Sequence, residues 1–168
     1  MVKVRRVASL IKNSILVCLF ALLSACGGIL QHEYRSVGGE WSSRDTLLFA
    51  NNRQGDSLST SLDIYVGVRY NANYPYRKLW LEVENYACDT LIQRDTLCCD
   101  IYDSDGRMNG TIVGTLYQNE YYLSTTDIPY SKIHNIRIRH IMADSLLPGI
   151  YDVGIKLASP CPNRYEER

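Results

Sequence analysis

The residues with the most varied chemistry in this sequence are its six cysteines. A thiolate attacks electrophiles, exchanges with disulfides and binds metal ions, so the position of each cysteine decides its role. Cys18 lies inside an apolar run near the N-terminus, and Cys26 directly follows that run. The other four are spread through the body of the chain at Cys88, Cys98, Cys99 and Cys161.

The N-terminal segment has the parts of a helical signal peptide. The N-terminus is basic, with Lys3, Arg5 and Arg6. Residues 14–25 carry no charge and are mostly apolar. A spanning helix needs about 20 apolar residues, so this shorter run is typical of the core of a signal peptide.

The end of the apolar run, Leu23-Ser24-Ala25-Cys26, resembles the lipobox of lipoprotein precursors. Small side chains there fit the signal peptidase, and the cysteine thiol takes a diacylglycerol. We therefore expect residues 1–25 to be removed and Cys26 to become a lipidated N-terminus.

Lipid on Cys26 predicts a domain that is attached to a membrane through its anchor and does not span it. Each buried acyl CH₂ contributes about 0.8 kcal/mol, and two or more chains give stable attachment. Gly27 stands where an inner-membrane retention signal would have aspartate. This favours a position in the cell envelope on the periplasmic face of the outer membrane.

The charge of the mature chain argues against nucleic acid as a partner. Residues 1–25 hold four of the 18 basic residues and none of the 18 acidic ones, so the mature part has a net charge near −4. It contains no basic cluster of the kind that binds nucleic acid.

Four cysteines in an exported domain predict disulfides. Cys98 and Cys99 are adjacent, so a bond between them would be strained, and on a strand they point to opposite faces. We expect Cys88 to pair with one of them and Cys161 with the other. The alternative is a zinc site, although the spacing lacks the paired Cys-x-x-Cys knuckles of such sites.

The three histidines do not form a site. His134 and His140 are six residues apart, which on one strand separates them by about 20 Å. His32 lies in the segment that follows the lipidated cysteine, where preorganised chemistry is not expected. No metal or cofactor is predicted.

The acidic residues do not indicate catalysis. Residues 103–106 read Asp-Ser-Asp-Gly, but the twelfth position of a calcium loop counted from Asp103 is Gly114 and not glutamate. Glu82 and Glu84 alternate along a strand, which is typical of a solvated face. No serine lies in a nucleophile motif and no glycine-rich phosphate loop is present, so we predict that the protein is not an enzyme.

The body of the chain has the two-residue period of half-buried β-strands. In residues 60–70, Leu62, Ile64, Val66 and Val68 share one face. Residues 77–85 bury Leu79, Leu81 and Val83 and expose Trp80, Glu82 and Glu84. Residues 151–157 repeat the pattern, and weaker strands are expected at residues 45–49, 96–102, 111–117 and 134–142.

Turn residues separate these strands. They cluster at residues 51–57, 71–75, 103–106 and 145–149. The pattern predicts one all-β domain at residues 34–168, an antiparallel sandwich for which the jelly roll is one candidate topology, after a lipidated tether at residues 26–33.

One segment is rich in aromatic residues and arginine, the types that dominate binding hot spots. Its members, the candidate interaction surface, are Arg69, Tyr70, Tyr74, Tyr76 and Trp80. The alternative is that these rings cap the ends of the sandwich with arginines packed over them.

Several stretches together resemble the gliding motility lipoproteins of the GldH family. The shared elements are Trp41, Asp45 and Phe49, the stretch VGVRYNANYPYRKLWLEVE (residues 66–84), residues 103–106 with Gly110, and LLPGIYDVGIKL (residues 146–157). They follow in order over nearly the whole mature chain. The cysteines after Cys26 and the tail at residues 159–168 are not part of this pattern.

The resemblance implies a non-enzymatic lipoprotein of the gliding machinery and its associated secretion system, which acts by contact with other envelope proteins. It assigns no cofactor and no catalytic residue. The alternative is an envelope lipoprotein that binds a glycan on its aromatic segment. A contiguous, concave aromatic patch would favour the glycan, and a flat or buried one would favour protein partners.

Overall fold

The computed structural model describes residues 28–51, 61–133 and 135–160. The predicted signal peptide at residues 1–25, Cys26 and Cys161 lie outside these residues. Within them the chain forms strands, one turn of 3₁₀ helix at Tyr130–Lys132, and no helix long and apolar enough to cross a bilayer. The strands are β1 (Ile29–Ser36), β2 (Glu40–Ser42), β3 (Leu47–Ala50), β4 (Leu62–Tyr70), β5 (Lys78–Ala87), β6 (Thr90–Asp100), β7 (Thr111–Val113), β8 (Leu116–Thr126), β9 (Asn135–His140), β10 (Leu146–Pro148) and β11 (Ile150–Ala158).

The eight longer strands pair in the pattern of a jelly roll. The first pairs with the last, the second with the second-last, and so on inward: β1 with β11, β3 with β9, β4 with β8 and β5 with β6, all antiparallel. Such a ribbon winds into a five-stranded sheet (β1-β11-β4-β8-β7) and a four-stranded sheet (β3-β9-β5-β6), with β2 and β10 as a short third pair. The prediction of an antiparallel all-β sandwich is confirmed, and its order is that of a jelly roll.

The core lies between the two sheets and is built by the alternation that the sequence predicts. β4 and β5 supply side chains that are at most 1% exposed, whereas Trp80 on the opposite face of β5 is 42% exposed. The buried members are Leu62, Ile64, Val66, Val68, Leu79, Leu81 and Val83.

Glycines in two neighbouring strands make room for a tyrosine on the outer face of the five-stranded sheet. Gly154 of β11 faces Gly67 of β4 across the pair and Tyr34 of β1 on its other side. A Cβ added at either glycine would overlap the Tyr34 side chain. The glycines therefore let a tyrosine ring lie flat over the middle of the sheet, an arrangement that shields strand glycines from solvent.

The two ends of the sandwich are distinct. The near end is where β1 begins, and there Gln31 Nε2 donates to the Ala50 carbonyl at 3.2 Å and the Tyr130 hydroxyl donates to Gln31 Oε1 at 3.2 Å. These bonds tie the start of the five-stranded sheet to the end of β3. The near end also contains the β5–β6 turn, residues 126–133 and Asn135, while the far end contains residues 37–46, 71–77, 101–110 and 141–149.

Three expectations about the elements are wrong. The tether predicted at residues 26–33 is mostly strand, because β1 adds to the edge of β11 from Ile29 onward although its own sequence has no clear alternation. The turn at residues 145–149 contains β10, which pairs with β2. The strand at residues 111–117 is broken at Gly114, whose φ of 65° fits a tight turn. The loop predicted at residues 51–57 lies almost entirely outside the described residues.

Candidate functional site

The predicted interaction surface does not exist as one surface, because two of its tyrosines belong to the core. Tyr70 and Tyr74 are at most 1% exposed. The Tyr70 hydroxyl donates to the Asn109 carbonyl at 2.5 Å, and that of Tyr74 donates to the Lys78 carbonyl at 3.0 Å. Burial raises the pKa of both phenols. These rings hold far-end loops in place, so the alternative of packed capping rings is correct for them.

Arg69 lies on a different side of the molecule from the other members of the segment. Its guanidinium carbon is 4.1 Å from the centre of the Tyr34 ring, and its Nε donates to Gln118 Oε1 at 2.8 Å. Arg69 also forms an ion pair with Asp152 at 3.6 Å. It is therefore part of the packed outer face of the five-stranded sheet.

Tyr76 and Trp80 are the two exposed members of the predicted set. The Tyr76 hydroxyl donates to Asp144 Oδ2, and this hydrogen bond is the main reason why the pKa of Tyr76 is raised. Trp80 lies between Cys98 of β6 and Ile141, whose N–H donates to the Trp80 carbonyl at 2.9 Å. Ile141 is itself 41% exposed. Tyr76, Trp80 and Ile141 are therefore exposed apolar side chains at the far end.

Beyond Trp80, the outer face of the four-stranded sheet carries charges in alternation. Glu82 contacts Arg139 at 2.6 Å on one side and Arg94 at 3.9 Å on the other. Glu84 contacts Arg94 at 2.6 Å, and this carboxylate raises the pKa of Arg94. Both glutamates are therefore tied into the sheet by cross-strand ion pairs.

A shallow groove of about 380 Å³ lies along these charges. Its walls combine arginine, glutamate and one exposed leucine, Leu48. Arg137 leans over the Tyr86 ring with its guanidinium carbon 4.2 Å from the ring centre. The groove is lined by Thr46, Leu48, Glu82, Glu84, Arg137 and Arg139.

The arginines of this groove were missed at the sequence level, although a signal for them exists. Arg137 and Arg139 alternate with the buried Ile136 and Ile138 in β9. That alternation places both arginines on one outer face. The sequence does not reveal that β9 lies beside β5, and only this neighbour relation brings them to the glutamates.

A family model for GldH lipoproteins matches residues 29–157, which spans β1 to β11 almost completely. The chain belongs to the GldH lipoprotein family. A gliding motility lipoprotein GldH from Flavobacterium johnsoniae is 27% identical over 156 residues, which covers 88% of this chain and 96% of that protein. The stretches that carry the resemblance in the sequence lie inside the matched region.

Two solved structures with some likeness to this chain are viral proteins. The VP2 subviral particle of infectious bursal disease virus aligns with a TM-score of 0.37 and 13% identity, over 80% of this chain and 34% of that one. The coat protein of Tobacco streak virus aligns with a TM-score of 0.29 and 9% identity, over 81% and 91%. Scores at this level carry no argument about function.

The hairpin of β5 and β6 places Cys88 far from Cys98 and Cys99. Cys88 lies in the turn, whereas Cys98 faces Trp80, about eight residues and roughly 25 Å further along the strands. A disulfide requires Cα atoms within about 7 Å. The expected pairing of Cys88 with Cys98 or Cys99 is therefore wrong. Cys98 and Cys99 are thiols in the structure, and Cys161 lies outside the described residues.

The Asp103–Gly106 turn is held by side-chain hydrogen bonds. Asp103 Oδ1 accepts hydrogen bonds from the Asp105 and Arg107 N–H groups, both at 2.8 Å, which closes the predicted turn. Within the described residues no group of three or more His, Cys, Asp or Glu side chains could hold a metal ion. His32 lies 3.4 Å from Glu120, and His134 is outside the described residues.

His140 is buried beside Trp41. It is 2% exposed and packs edge-on against Trp41, with ring centres 5.1 Å apart. Neither ring nitrogen meets hydrogen-bond geometry with a described residue. Burial lowers the pKa of His140, and the nearby backbone of Trp41 and Ser42 opposes this in part.

Proposed function

We propose that this chain is a lipid-anchored component of the gliding machinery and its associated secretion system, which acts by protein–protein contact. The observation that carries the proposal is the family match, which extends over residues 29–157 and thus over nearly the whole described domain. A relative that the chain matches along 96% of its length is named as a gliding motility lipoprotein. The proposal assigns no catalysis to the chain.

The anchor in this proposal is the diacylglycerol on Cys26. Gly27 follows it, so we place the protein on the periplasmic face of the outer membrane. From there the domain reaches partners in the periplasm or in the envelope proteins that extend into it.

The contact surface in this proposal is the far end around Trp80. Tyr76 is 36% exposed, Trp80 42%, Ile141 41% and Leu146 48%. Tyrosine and tryptophan are enriched at the centres of protein interfaces, because their large rings lose much water contact on binding. The ion-pair face of the four-stranded sheet adjoins this apolar end and provides a polar rim.

The glycan alternative has less support. A sugar site would need a continuous aromatic surface. Two of the four rings predicted for it, Tyr70 and Tyr74, are buried and could not contact a sugar. The groove beside Trp80 is lined by charged side chains and Leu48, with no aromatic floor.

The experiment is chemical crosslinking of cells that carry the tagged full-length lipoprotein, followed by purification and mass spectrometry. We expect components of the gliding or secretion apparatus to be recovered. In a gliding host, deletion of the gene should also stop the spreading of colonies, and the intact gene should restore it. Recovery of envelope glycan without machinery proteins would overturn the proposal and favour a glycan-binding lipoprotein.

A further inference from the structure

The domain begins almost directly at the cysteine that carries the lipid. The Gly28 carbonyl already accepts a hydrogen bond from the Ser159 N–H at 3.1 Å, and Ile29 pairs with Ala158 in the sheet. Only one residue separates Gly28 from Cys26. Two residues of extended chain span at most about 7 Å.

This short connection leaves no room for a flexible tether. An acylated cysteine lies at the level of the lipid headgroups, since its acyl chains enter the hydrocarbon. We propose that the near end of the sandwich is a lipid-contacting surface, on which the domain stands with its far end pointing away from the membrane. The proposal depends on the lipidation of Cys26, which is part of the proposed function.

The composition of the near end fits contact with headgroups and glycerol backbones. Ile29 is 57% exposed and Leu91 is 39% exposed, and both lie at this end. Tyr122 is 45% exposed and lies on the outer face of the five-stranded sheet, a few residues along the strand from the near end. Tyrosine is favoured at the membrane–water boundary because its ring is apolar and its hydroxyl is wet.

The side of the domain next to β1 is a poorer surface for lipid. His32 and Lys156 both contact Glu120 there, and Arg69 pairs with Asp152. Laying this face on the bilayer would remove water from five charged or titratable groups, and desolvating charges is costly. In the described loops of the near end, the exposed charged side chains are those of Asp89, Asp127 and Lys132.

The orientation determines where a protein partner meets the domain. Trp80 lies seven residues from the end of β5 at Ala87, which places it about 23 Å further from the membrane than the β5–β6 turn. The Trp80 surface therefore faces the aqueous compartment. Its partner must be a protein that projects well beyond the headgroups.

The test is hydrogen–deuterium exchange of the lipidated full chain in vesicles of phosphatidylethanolamine and phosphatidylglycerol. The matched control is a variant with ten Gly/Ser residues inserted between Gly27 and Gly28, which keeps the acyl chains and frees the domain. We expect several-fold slower exchange at residues 87–91 and 127–133 in the parent chain than in the control. Exchange at residues 71–77 and 103–108 should be equal in both.

Equal exchange at the near end in the two proteins would overturn the orientation, as would slower exchange at the far end or a chain whose mass shows no acyl groups. The two proposals fail separately. Near-end protection without recovery of machinery proteins would overturn the proposed function alone. Recovery of machinery proteins without near-end protection would overturn the orientation alone.

Discussion

Tyr34 lies across Gly154, the glycine that faces it from the neighbouring strand. A Cβ at Gly154 would come within 2.6 Å of Tyr34 Cδ1 and 2.8 Å of the Glu33 carbonyl oxygen. The Arg69 guanidinium lies over the Tyr34 ring. The Asp-Val-Gly motif of the last strand therefore has a structural reason, since only glycine leaves space for this stacked arrangement.

Gly154→Ala should destabilise the domain by about 1–3 kcal/mol, because the added methyl group forces either the ring or the β1 backbone to move. Urea unfolding of the non-lipidated domain measures this. Gly28→Ala is the matched control, since nothing lies within 4 Å of a Cβ there. Unchanged stability in Gly154→Ala would contradict the close packing of Tyr34.

His140 should make the stability depend on pH. Burial lowers its pKa in the folded state below the ordinary value of 6.5, so the unfolded chain binds more protons between those two values. The contribution of neutral His140 to the free energy of unfolding is therefore fully present above pH 6.5. It is lost as the pH falls from 6.5 to the lower pKa of the folded state, by at most about 1.4 kcal/mol per pH unit.

The free energy of unfolding between pH 7.5 and 5 should therefore fall less steeply in His140→Gln than in the parent chain. The difference between the two slopes isolates His140 from the carboxylates, which are common to both proteins. Identical slopes would show that His140 is not kept neutral by the fold.

Cys99 should resist alkylation in the native protein. It is 0% exposed, and burial raises the pKa of its thiol, so little thiolate forms at pH 8. Iodoacetamide followed by peptide mass spectrometry should leave Cys99 unmodified until urea is added.

A peptide map without reductant should contain no link from Cys88 to Cys98 or Cys99. Either link would contradict the hairpin register.

The sequence predicts the strands that have one apolar and one polar face. It does not predict a strand such as β1, which is held in the sheet by pairing with its neighbour. β4 and β5 alternate clearly, and their buried and exposed residues could be assigned in advance. β1 lacks such alternation because it is an edge strand, with Tyr34 on one side and polar Gln31 and Glu33 on the other.

The sequence predicts only part of the candidate interaction surface. Tyr70 and Tyr76 belong to the same aromatic and arginine-rich segment, but the first ends a central strand and points into the core, whereas the second lies in a far-end loop. Residue type alone cannot separate these cases, because tyrosine is equally suited to a core edge and an interface. The arginines of the groove needed the pairing of β5 with β9, which is a long-range relation.

The most direct test of the central claim compares the crosslinked recovery of gliding or secretion proteins by Trp80→Ala with that by Ile112→Ala. Both side chains are exposed, at 42% and 64%, but Ile112 lies on β7 at the edge of the other sheet. If Trp80 is a contact residue, its loss should reduce recovery by about tenfold or more, equivalent to at least 1.4 kcal/mol. Ile112→Ala should match the parent chain, and both variants should unfold at the parent's urea midpoint. Recovery by Trp80→Ala equal to that of the parent would contradict contact through the far end.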